Sequence, residues 1–114
     1  MSATVLTVGL HGLKPYLIRV TAKKADRAPG LTISGLSENA AREARVRVRS
    51  ALASVGVEGS EMTVDVTIEP APSGPIDLAI AVSILVVLGK REPTDDAIFI
   101  GELDLAGNVR AEWD

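Results

Sequence analysis

The chain has no cysteine, a single histidine, and one each of phenylalanine, tyrosine and tryptophan among its 114 residues. Without cysteine there can be no disulfide and no thiol nucleophile. With His11 as the sole histidine, the zinc sites built from Cys and His lack their donors. So few aromatic rings leave little on which bases could stack. Long apolar runs are also missing: the longest, residues 78–89, spans 12 residues, against about 20 for a bilayer-spanning helix. The opening stretch MSATVLTVGLHG lacks the basic region, apolar core and small-residue cleavage site of a secretory leader. A cytoplasmic location without membrane contact is the expectation. The net charge of −3 argues against indiscriminate binding to nucleic acid over the whole surface.

What is present is an ordinary globular composition, 46% hydrophobic and 24% charged, rich in Val, Ile, Leu and Ala. A chain of this size buries about two-thirds of its unfolded surface, enough for one domain with a real core. No linker, low-complexity tract or internal repeat interrupts it.

Strands are expected over 4–10, where TVLTVGLHG ends at glycines, and over 16–24 and 31–34. The stretch ADRAPG between them has turn composition. Next comes the clearest helix, 37–55. Ser37 suits the N-cap, and Glu38 sits at the positive end of the helix dipole. Ala41, Ala44, Val48, Ala51, Leu52 and Val55 recur at helical spacing, and Gly56 supplies the stop. Over 62–69 the pattern alternates. Val64, Val66 and Ile68 face one way, and Thr63, Asp65, Thr67 and Glu69 the other, so one face is buried. A second, largely buried helix is expected over 75–88, with Pro75 in its first turn. Two short strands, 97–100 and 108–111, flank a turn at LAGN. The order predicts an α+β fold, an α/β sandwich in which a mixed sheet carries both helices on one face.

Motifs for chemistry are few. Neither a Walker-type phosphate loop nor a GxGxxG turn occurs, so the chain is expected neither to bind nor to hydrolyse ATP, and no cofactor or metal is implied. The stretch SGLSEN could offer helix N-terminal amides to an anion, or could simply be a capped helix start. Ser73 and Lys90 are the nearest serine–lysine candidates for acyl transfer. They stand at opposite ends of the second helix, separated by roughly 20 Å at about 1.5 Å per residue. Asp77 and Glu102 are the acids beside glycines most worth watching for a catalytic role, against which stands the commoner capping or structural role of a carboxylate near a helix start. Arg42, Arg45 and Arg49 fall on one side of the first helix, with Arg47 near its edge. They could contact phosphates or a partner protein. Alternatively they form a solvated face on which Glu43 and Arg47 make an i,i+4 pair.

Five blocks together carry a resemblance: Pro29-Gly30-Leu31 with Ser34-Gly35-Leu36; the helix 43–52; residues 64–72; Asp77-Leu78-Ala79-Ile80-Ala81; and Gly101-Glu102-Leu103 through Gly107-Asn108-Val109-Arg110. In this order, over nearly the whole chain, they resemble the N-terminal domain of ComM-type, magnesium-chelatase-like AAA+ proteins. That family's domain is similar in fold to the proteolytic domain of Lon. Setting SGPIDLAIA against Lon's GPSAG loop puts Gly74 and Pro75 on its Gly-Pro and Ile76 where the nucleophilic serine would stand, and no lysine follows Arg110. The resemblance therefore implies a structural helix in a protease-like scaffold and no catalysis. APSGP is shorter than the lysine- and glycine-rich loop of ComM-type proteins.

The resemblance further implies one ComM N-terminal-like domain over 1–114, without the ATPase module. ComM-like proteins act in DNA branch migration during natural transformation, through ATP-driven hexamers, and that activity belongs mainly to the module. The function expected is non-catalytic: assisting assembly or regulation of an AAA+ ATPase partner, self-association, or DNA contact through Arg42, Arg45 and Arg49. The alternative is a peptidase-like enzyme or degenerate Lon-type protease domain.

Overall fold

A computed structural model describes residues 2–25, 30–57, 63–72, 76–92, 98–99, 102–103 and 109–110. Three strands come first, β1 (Ser2–His11), β2 (Lys14–Lys24) and β3 (Gly30–Ser34), followed by helix α1 (Glu38–Ser54) and strand β4 (Thr63–Glu69). Helix α2 (Asp77–Val87) and two short strands, β5 (Glu102–Leu103) and β6 (Val109–Arg110), complete the order. The main sheet is mixed and runs β1-β2-β4-β3, with β3 parallel to β4 and the other pairs antiparallel. The fold is α+β, as the pattern of the sequence predicts.

The sheet has one dry face. Val64, Val66 and Ile68 of β4 are buried while Thr67 and Glu69 are exposed, and the same alternation holds in the neighbouring strands. Ala3 and Val5, Ile18, Val20 and Ala22, and Leu31 and Ile33 all join one core with Val48 and Leu52 of α1 and Ile80 and Ile84 of α2. Each such Ile or Leu contributes about 1.5–3 kcal/mol by leaving water. Helix α2 lies on β1 and β2, and α1 lies on β3 and against α2.

Both helices stop in the same way. After α1, the Gly56 N–H donates to Ala53 O and the Val57 N–H to Leu52 O; after α2, Gly89 and Lys90 repeat this on Val86 and Leu85. These are Schellman closures, with glycine at positive φ (+91° and +74°) where a side chain would be strained. The closure corrects one expectation. Val55 does not extend the buried stripe of α1: it is the C-cap and exposed, and Val57 takes the core position once Gly56 has turned the chain.

Two further boundaries shift. Helix α2 begins at Asp77 with Ile76 as its N-cap, two residues later than expected; Pro75 and Ser73 lie outside the described residues. Of the expected strands 97–100 and 108–111, Ile98 makes an isolated bridge and β6 covers Val109–Arg110, while 97, 100, 108 and 111 lie outside the described residues. β6 pairs with β5 in the register Glu102↔Arg110 and Leu103↔Val109, which leaves five residues, 104–108, to connect them. Ile98 bridges Leu6 on the outer edge of β1, and the Phe99 N–H donates to Leu6 O at 2.9 Å.

The far half of the β1–β2 hairpin stands apart from the rest of the sheet. Pairing with β4 starts only at Arg19↔Glu69, so among the described residues the pairs from Thr7↔Ile18 to His11↔Lys14 form a two-stranded arm. A two-residue loop, Gly12–Leu13, closes it. Positive φ at the first loop residue (+65°) is the type II′ pattern, which matches the strand twist. Tyr16 lies over Gly9, where a Cβ would stand 2.5 Å from the ring, and its hydroxyl donates to Ala71 O at 2.8 Å.

Candidate functional site

Helix α1 supplies the basic residues, and its start is held by its own cap. The Ala40 N–H donates to the Ser37 hydroxyl at 3.2 Å, and the Ala41 N–H to Ser37 O at 2.8 Å. Glu38 adds a negative charge in the first turn. This is the capped helix start that SGLSEN allows, held by its own serine. Just before it, Gly35 has φ of +102°, and a Cβ there would fall 2.2 Å from Ile68 O. Only a glycine lets the β3–α1 connection cross β4 this closely.

With α1 buried along Ala41, Ala44, Val48, Ala51 and Leu52, its arginines divide into two groups. Arg42 and Arg49 are exposed and Arg45 is half-buried, about 100° of helix turn from Ala44. No hydrogen bond or ion pair engages these three among the described residues. Arg47 turns the other way. Its Nε donates to Asp77 Oδ2 at 2.5 Å and a terminal nitrogen to Asp77 Oδ1 at 3.3 Å, a two-pronged grip on the first residue of α2. The Glu43 carboxylate stands 3.9 Å away, the weaker i,i+4 partner expected from the sequence.

Asp77 is only 1% exposed, and Arg47 25%. The start of α2 has no side-chain cap bond, and Asp77 is its one acid in the first turn. The carboxylate suits the positive end of that helix, and the guanidinium neutralises it where water cannot. This pair, thirty residues apart in the chain, escapes a reading by local spacing. The signal available was a lone acid opening an apolar helix, which needs a cation from elsewhere.

The pair forms one wall of a cleft of about 380 Å³ between the two helix starts. Leu36, Ala44, Ile76 and Ile80 make the cleft largely apolar, and Ala71 and Pro72 close it on the β4 side. Three of its polar side chains, Ser37, Arg47 and Asp77, are already engaged. The Ser37 hydroxyl caps α1, and both Asp77 oxygens face Arg47. Ile76, the residue aligned with a nucleophilic serine, is buried here. Lys90 lies exposed beyond the other end of α2, and Glu102 belongs to β5.

A mixed sheet with two helices on one face and a cleft between the helix starts defines an α+β domain. The chain belongs to the family of subunit ChlI of Mg-chelatase, which matches residues 19–112. It is 36% identical over 102 residues to the Escherichia coli protein YifB, covering 84% of this chain and 20% of that protein. It is 32% identical to the Salmonella typhimurium YifB over 114 residues, 95% of this chain and 22% of the relative. Competence protein ComM of Haemophilus influenzae is 30% identical, with the same two shares. The chain thus spans about a fifth of the length of the curated relatives it matches. No helix among the described residues is long and apolar enough to cross a membrane.

Proposed function

We propose that this chain is a non-catalytic interaction domain of the magnesium-chelatase-like family, assisting an AAA+ ATPase module by contacting DNA through Arg42, Arg45 and Arg49. One observation carries the reading. Three of the four arginines at the middle of α1 have no partner among the described residues, while the fourth is committed to Asp77. A capped helix packed on a sheet presents them together without any loop having to order. Support for a non-catalytic role comes from the cleft, where Ser37 and Asp77 are both held in structural bonds. The compartment proposed is the cytoplasm, where both DNA and such ATPases are found in bacteria.

Fluorescence anisotropy on labelled duplex DNA, from low to moderate salt, tests it. Three phosphate contacts give a log–log salt slope of about −3, and replacing the three arginines with Ala should flatten it. Binding that survives the triple substitution unchanged removes these residues from the site. No binding at all moves the contact to a protein partner. The net charge of −3 makes isolated binding weak, so an attached module would add avidity. Labelling of any serine by an activity-based serine hydrolase probe would overturn the non-catalytic reading in favour of a peptidase-like enzyme.

A further inference from the structure

The face of the main sheet turned away from the helices carries a polar basin. Its volume is about 420 Å³, and Thr4 of β1, Arg19 and Thr21 of β2, and Thr67 and Glu69 of β4 line it. The register explains this grouping. Thr4 stands opposite Thr21 and Thr21 opposite Thr67, so one row across three strands carries three hydroxyls. The next row on the same face sets Arg19 directly opposite Glu69.

Opposite charges on facing residues of adjacent strands can pair, their Cβ atoms being about 4.5–5.5 Å apart. These two do not. Neither Arg19 nor Glu69 makes a hydrogen bond or ion pair among the described residues. The Thr4 and Thr21 hydroxyls bond each other at 3.1 Å, which uses one of their two protons, and the Thr67 hydroxyl has no partner among the described residues. The basin therefore offers a guanidinium that only donates, a carboxylate that only accepts, and hydroxyls that do both. We infer that it is a binding site for a small dipolar ligand of the α-amino acid class, with the ligand's carboxylate on Arg19 and its ammonium on Glu69. An anion alone would meet the charge of Glu69, and a cation alone that of Arg19. A molecule carrying both groups on one carbon satisfies the two at once, and the threonine hydroxyls fill its remaining bonds. The basin lies on the opposite side of the sheet from α1, so the inference is independent of the arginine face proposed for DNA.

Titration of the isotope-labelled chain with glycine at constant ionic strength, followed by amide chemical shifts, tests it. Saturable shifts centred on residues 4, 19–21 and 67–69 are expected. Because water reaches both charges, the dissociation constant should be about 1 mM. Acetate and methylammonium, each carrying half of the dipole, should bind about tenfold more weakly, and Arg19→Gln and Glu69→Gln should each weaken glycine binding about tenfold. Both side chains are exposed, so thermal unfolding of the variants should match the parent and exclude misfolding. Absence of saturable shifts overturns the inference and leaves the basin a solvated sheet face. Acetate or methylammonium binding as tightly as glycine also overturns it, as separate adventitious ions only. So does glycine binding indifferent to both substitutions.

Discussion

The two helices end alike and begin differently. Gly56 and Gly89 close both with the same pair of backbone bonds. At the other end, α1 is served by its own Ser37, whereas α2 has no side-chain cap bond and brings in Arg47 from α1. Burial accounts for the contrast. α1 wets one side, and its first turn can be completed locally by a hydroxyl and by water. α2 is buried along Asp77, Ala79, Ile80, Ala81, Val82, Ser83, Ile84 and Val87, and its opening carboxylate needs a cation delivered across the core. A helix on the surface can be specified by its own sequence; a buried one is specified partly by its neighbour.

Arg47→Ala should break this contrast most severely. It leaves Asp77 charged and buried with no guanidinium, and the expected loss is about 3 kcal/mol in urea unfolding, at the low end of the range because Arg47 is partly exposed. Removing both charges together, as Arg47→Met with Asp77→Leu, should recover most of that loss. A double variant no more stable than Arg47→Ala would show that the pair is not what fixes α2. Next in size is Gly35→Ala. The new Cβ meets backbone oxygen at Ile68, which cannot swing aside, and the conformation itself is strained, so more than about 2 kcal/mol is expected. The mildest is Ser37→Ala, at about 1 kcal/mol by thermal melting, since water can replace the lost bond at an exposed helix start. Equal losses for Ser37→Ala and Arg47→Ala would erase the distinction between the two beginnings.

What was legible in the sequence was whatever depends on local spacing. The alternation of Val64, Val66 and Ile68 gave β4, and the alanine stripe with Ser37 and Gly56 gave α1 nearly to the residue. Reading failed at one local reversal of the chain and wherever the answer lay far along it. Val55 fits the helical period, yet the chain reverses one residue later and Val57 fills the core. The stretch 97–100 has β-rich composition, but composition does not say which strand Ile98 would meet, and its bridge to Leu6 comes from far back in the chain. For the site, helical spacing placed Arg42, Arg45 and Arg49 together and set Arg47 at the edge. Nothing local indicated that Arg47 faces Asp77, or that a cleft opens beside them.

The strand order has a consequence for synthesis. β4 is the last of the four main strands in the chain, yet it sits between β2 and β3 and bonds to both. Until residues 63–69 have left the ribosome, the nascent chain can hold only two disconnected pieces, a β1–β2 hairpin and a β3–α1 unit. The inner edge of each piece stays open to chance pairing for that interval. Insertion of one seven-residue strand then seals both edges at once.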